Sequence, residues 1–90
     1  MDLKEWKITF FLGWDKYFIK LDNNTQKLIL KKLEQMAQPL KARRLHKSKY
    51  YIEEVGQYRI VFTEDEINLE KQIFFIGDHK QYEKWYKSLF

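Results

Sequence analysis

The sequence predicts an α+β domain in which a helical hairpin packs on a mainly antiparallel four-stranded sheet, followed by a short C-terminal helix. Three observations carry this. Apolar residues switch twice between the alternating period of a strand and the i, i+3, i+4, i+7 period of a helix. The run Tyr50 to Phe62 is two strands rich in Tyr, Ile, Val and Phe, interrupted only by Gly56 and Gln57. All three glycines fall where one period gives way to another.

In chain order, Trp6, Ile8, Phe10 and Leu12 alternate with Lys7, Thr9 and Phe11, the pattern of a strand packed on one face, and Gly13 ends it. Trp14, Tyr17, Phe18 and Leu21 then repeat at helical spacing. After a break at Asp22 and Asn23, Asn23 and Gln26 resemble a capping box. Ile29, Leu33, Met36 and Ala37 make the apolar stripe of a second, longer helix, which Pro39 closes. Two helices joined so closely form an antiparallel hairpin.

Leu40 to Lys49 is a basic connector into the central strands. Gly56 and Gln57 suit a two-residue hairpin loop with glycine first. That loop sets Val55 opposite Tyr58, Glu54 opposite Arg59, Glu53 opposite Ile60, Ile52 opposite Val61 and Tyr51 opposite Phe62. One face then carries Tyr51, Val55, Tyr58, Ile60 and Phe62 as core. The other carries Glu54 and Arg59 between Ile52 and Val61, and the layout leaves that face open as a working surface. TEDEIN at 63–68 is expected to be a loop. Leu69 to Ile76 is a strand whose IFFI centre implies burial on both sides. Gly77 and Asp78 break it, and Tyr82, Trp85, Tyr86 and Leu89 give the last helix its apolar face.

Ninety residues make a single domain, 1–90, with no room for a second. The chain has no cysteine, so neither disulfides nor thiolate metal sites stabilise it, and 16 aromatic residues (seven Phe, six Tyr, three Trp) must fill the core. The early acids and short apolar run at the N-terminus fit neither a signal peptide nor a membrane span, which makes the cytoplasm the expected compartment. Net charge is +4, and its distribution is uneven. From Lys27 to Lys49 eight Lys or Arg face one acid, Glu34, whereas from Tyr50 to Glu70 six acids face Arg59 alone. A locally positive surface of this kind attracts phosphate. His46 and His79 are far apart and lack any metal-ligand spacing, so no metal or other cofactor is expected.

The helical hairpin ending in KLEQMAQP, RRL at 43–45, VGQYRIVF at 55–62 and IGDHKQY at 76–82 together resemble the RelE/ParE superfamily, the toxins of type II toxin-antitoxin systems. VGxYRI is the most specific of these motifs, and the resemblance covers nearly the whole chain. It implies a toxin neutralised by a cognate antitoxin whose C-terminal segment wraps around it. It also implies a metal-independent endoribonuclease that cuts mRNA on the ribosome and inhibits translation. Attack of a ribose 2′-hydroxyl on the neighbouring phosphate needs a base, cations beside the phosphorane and an acid for the leaving oxygen.

By this resemblance Arg59 contacts the scissile phosphate, and His79 and Tyr82 match a His-x-x-Tyr pattern whose side chains stack on a base or move protons. Lys41, Arg43, Arg44, His46, Lys47, Lys49 and Lys80 are the candidate RNA contacts. One departure stands out: Ile52 and Glu54 replace a basic-x-basic pair. Glu54 is then either a general base or a partner that neutralises Arg59. Each candidate also has a plainer reading. Arg59 with Glu54 is a surface ion pair, His79 a helix-start residue, and the lysines a solvated run. The alternatives for the whole chain are a ParE-like toxin that binds DNA gyrase without nuclease chemistry, and an inactive relative that only binds an antitoxin.

Overall fold

The central hairpin forms in the register its loop implies. The computed structural model describes residues 5–38 and 49–89, together with the backbone of 43 and 44. Strand β3 (Tyr51–Val55) pairs antiparallel with β4 (Tyr58–Asp65), with Glu54 opposite Arg59 and Ile52 opposite Val61. Gly56 takes φ +58° at the first loop position, a left-handed conformation open to glycine at no steric cost.

Strand β5 (Glu70–Asp78) pairs antiparallel with β4, and β1 (Lys7–Phe10) lies parallel to β5 at the sheet edge. A two-residue strand, β2 (Arg43–Arg44), adds a fifth to the four expected, giving the order β1-β5-β4-β3-β2. The TEDEIN stretch is shorter as a loop than expected, because β4 continues to Asp65 against Glu70. The Asp65 side chain then accepts hydrogen bonds from the backbone N–H groups of Ile67 and Asn68 and closes the turn.

Helix α1 (Asn23–Met36) buries Ile29, Leu33 and Met36 on the first face of the sheet, against Ile60, Phe62, Ile73 and Ile76. Tyr51, Val55 and Tyr58 pack at the margin of this cluster, as the alternation requires. The other arm of the expected helical hairpin is different. Residues 12–17 form successive turns and only Phe18–Lys20 make a single 3-10 turn. The helical spacing there serves two cores at once: Trp14, Phe18 and Leu21 join the first cluster, and Tyr17 joins another on the opposite face.

The cap of α1 is also one residue earlier than expected. Asp22 is the N-cap, Thr25 donates a hydrogen bond to its carboxylate, and Gln26 reaches back to the Phe18 carbonyl at 3.0 Å instead of boxing Asn23. Pro39, which was expected to close α1, lies outside the described residues.

The second face of the sheet is not open. Ile52, Val61 and Phe75 form a second cluster with Tyr82 from α2 (His79–Lys87), and Tyr17, Tyr50 and Trp85 pack around it. A bulge makes this possible. Between the pairs Val61 to Phe75 and Phe62 to Ile73, β5 carries one extra residue, Phe74. Ile73 and Ile76 consequently point to the first cluster, Phe75 to the second, and Phe74 meets Phe11 and Tyr50. Two apolar faces need two covers, and α2 is the second. Among the described residues no helix is long and apolar enough to cross a membrane.

Among the described residues, one charged group is buried with the apolar residues. Lys71, 1% exposed, sits on β5 with its ammonium 5.2 Å from the Trp6 ring and 5.5 Å from the Phe62 ring. Burial pushes its pKa down, while the Glu64 and Glu53 carboxylates oppose that shift. Burial likewise raises the pKa of Glu64, its cross-strand partner, and Lys71 opposes it.

Candidate functional site

Arg59 stands on the second face of β4, between Glu54 on β3 and Gly77 on β5. Its guanidinium carbon lies 4.8 Å from the centre of the Tyr82 ring. Such stacking holds the planar fork in one orientation and leaves its N–H donors directed around its edge. Tyr82 is 8% exposed and fixed in turn by Phe75 at 6.1 Å, Trp85 at 6.2 Å and Tyr86 at 5.9 Å between ring centroids. The arginine is therefore mounted on the second aromatic cluster. Tyr82 is its support rather than a solvent-exposed acid.

Helix α2 starts where it does because Asp78 and Gln81 form a reciprocal capping box. Gln81 N–H donates to the Asp78 carboxylate and Asp78 N–H donates to the Gln81 side chain, both at 2.8 Å. The D-x-x-Q spacing was present in the sequence and is the signal that could have found it. The cap places His79 as the first helical residue, exposed, with Nε2 3.1 Å from the Glu83 carboxylate one turn on. His79 and Lys80 line a shallow cleft of about 340 Å³ with Gln57 and Asp78. The sheet brings this cleft close to Arg59, because Gly77, directly opposite Arg59, is two residues before His79.

Gly77 has a specific reason to be glycine: a β-carbon there would lie 2.7 Å from the Gln81 side-chain oxygen and 2.7 Å from the Phe75 ring. The bare backbone lets β5 turn into the cap and lets the Phe75 ring lie across it.

The hairpin acids divide between the faces. Glu53 points to the α1 side and pairs with Lys32 at 3.8 Å. Glu54 is exposed opposite Arg59. Glu54 and Tyr82 thus flank Arg59 on the second face, while His79 and Lys80 line the neighbouring cleft at the start of α2. Ile52 is buried in the second cluster, so its position in the missing basic pair has become part of the core.

The connector is less defined. Lys49 is exposed, with its ammonium 5.4 Å from the Tyr50 ring. Arg43 and Arg44 pair through their backbone with Ile52 and Tyr51. Lys41, His46 and Lys47 lie outside the described residues. Sequence reasoning missed Glu83 and Gln57, which stand beside His79; an acid four residues after a helix-start histidine was the available signal for Glu83. Among the described residues there is no cluster of three or more His, Asp or Glu able to hold a metal ion.

No protein-family model matches the chain, and no curated protein matches it in sequence. Solved structures do match in fold. The isolated RelE toxin of E. coli superposes with a TM-score of 0.67 at 17% identity, covering 94% of this chain and 99% of that one. A free RelE variant with two arginines replaced by alanine gives 0.75 at 17% identity, over 94% and 95% of the two chains. The RelBE2 toxin-antitoxin complex of Mycobacterium tuberculosis gives 0.70 at 16% identity, over 87% and 98%. These likenesses run almost end to end in both directions, and on that basis the chain has the fold of the RelE toxins.

Proposed function

We propose that the chain is the toxin of a type II toxin-antitoxin system, held inactive by a cognate antitoxin, and that it acts in the cytoplasm by cutting mRNA on the ribosome. The observation that supports this most directly is the mounting of Arg59. A guanidinium stacked on a buried tyrosine, at one end of a RelE-like sheet, presents donors to a phosphate without having to be ordered first.

In this reading the RNA 2′-oxygen attacks the adjacent phosphorus and the 5′-oxygen leaves. Arg59 stabilises the charge on the phosphorane. Glu54, across the ladder from Arg59, takes the 2′-hydroxyl proton. Protonated His79, with its Nε2 side held by Glu83, supplies a proton to the leaving oxygen. Tyr82 acts through Arg59 by fixing its orientation. Lys80 and Lys49, with the connector's other basic residues, contact flanking phosphates.

The test is cleavage of a translated mRNA in a reconstituted extract containing EDTA-treated protein. Wild type is expected to cut. Arg59→Ala and His79→Ala, verified as folded, are expected to lose at least about a hundredfold in rate. Full activity in both variants would remove the proposed site.

A second reading has one observation in its favour. Burial of Ile52 and exposure of Glu54 leave β3 without a cation on the working face, which suits a ParE-like toxin that binds DNA gyrase. Inhibition of purified gyrase, with translation unaffected, would decide for it.

A further inference from the structure

Beside the Arg59 site lies a second feature that the proposed chemistry does not use. A groove of about 470 Å³ is lined by Phe11, Tyr50, Phe74 and Trp85, together with Leu12, Gly13 and Leu89. Its size falls in the range of small-molecule sites, roughly 300–1,000 Å³. Phe11 and Phe74 stack at 4.6 Å with their planes 22° apart. Tyr50 stands edge-on to Phe74 and to Trp85, at 5.4 Å from each. Phe11 is 49% exposed and Leu12 95% exposed, so substantial apolar surface faces water at its mouth.

We propose that this groove holds an unpaired nucleobase of a single-stranded RNA whose phosphate lies at Arg59. The proposal rests on the nuclease reading for the position of that phosphate. Two observations select RNA over another apolar occupant. The first is charge: among the described residues no acid lines the groove, and Lys49 is one of its lining residues. The second is continuity. Trp85 forms a wall of the groove and also touches the Tyr82 ring on which Arg59 is stacked, at 6.2 Å between centroids. A strand with a phosphate at Arg59 can stack a neighbouring base against the half-exposed Phe11 ring. Stacking of that kind tolerates any base, because each has a π-face.

The experiment uses a labelled short oligouridylate, the same oligomer with one abasic site, and the same oligomer with one bromouracil. Wild-type protein is expected to bind the intact oligomer. Phe11→Ala, half-exposed and compatible with folding, is expected to weaken it about tenfold. Lys49→Gln provides a second variant should Phe11→Ala fail to fold. The abasic oligomer should lose as much on wild type and nothing further on Phe11→Ala, and irradiation should cross-link bromouracil to Tyr50, Phe74 or Trp85. Unchanged binding by Phe11→Ala, cross-links confined to other residues, or no binding of the oligomer would each overturn the proposal. The two readings fail separately. Arg59-dependent cleavage without groove-dependent binding leaves the nuclease standing and removes the base site. Groove-dependent binding with no cleavage leaves an RNA-binding groove and removes the nuclease.

Discussion

Gly77→Ala is the smallest change that should damage both the fold and the site. The added β-carbon would sit 2.7 Å from the Phe75 ring and 2.7 Å from the Gln81 oxygen that closes the α2 cap. Contacts under 3.0 Å are not sustained, so both neighbours must shift. Phe75 is 1% exposed and wedged among Tyr17, Tyr82 and Trp85, and overpacking of such a ring costs about 1–3 kcal/mol. Moving Gln81 as well opens half of the capping box, adding on the order of 1 kcal/mol. Against this, alanine in place of glycine within a strand regains about 0.5–1 kcal/mol of conformational entropy.

The net loss is therefore about 2 kcal/mol, which for a domain of this size lowers Tm by roughly 8–16 °C. Thermal unfolding followed by circular dichroism measures it. In a Phe75→Leu background, which removes the clashing ring atoms, the same glycine substitution should cost clearly less. A Tm within about 3 °C of wild type for the single variant, or an equal cost in both backgrounds, would refute the packing account.

Replacing buried Lys71 with methionine removes a cation whose charged form is disfavoured by desolvation. Because the folded pKa lies below the ordinary value of 10.5, wild-type stability should rise as pH increases through the folded pKa toward 10.5. Melts should show that alkaline gain missing in Lys71→Met. Asp78→Ala should cost about 1 kcal/mol through loss of the α2 cap, measured by urea unfolding, and should leave the β3–β4 hairpin protected from amide exchange.

What the sequence made legible follows from how local each cause is. The β3–β4 register depends on a period of two and on one glycine that accepts φ +58°, and every pair in it came out as expected. The stripe of α1 depends only on Ile29, Leu33 and Met36 facing one way. The failures are cases where a single pattern had two destinations. Tyr17 sits in phase with Trp14 and Phe18 yet packs on the opposite face, so a helical spacing concealed a set of turns.

The cover over the second face was hidden for a related reason. Only the extra residue at Phe74 turns Phe75 away from Ile73 and creates an apolar surface that α2 must protect. Arg59 was found by motif, and its register with Glu54 by alternation. Its support by Tyr82 joins residues from β4 and α2 that no local pattern connects. The basic connector was legible as charge alone.

The parallel pairing of β1 with β5 has a consequence for how the molecule assembles. Lys7 finds its partner at Glu70 and Phe10 at Ile73, whereas β3, β4 and β5 are joined to one another by short turns. During synthesis the first strand must wait, with Phe10 and Phe11 unpartnered, until nearly the whole sheet has emerged. The meander carrying Arg59 can close earlier, but Tyr82 and Trp85 arrive later still, on the helix that follows β5. A nascent chain therefore exposes both aromatic faces before it possesses the completed arginine platform. The interval in which it is most prone to aggregate comes before that platform is complete.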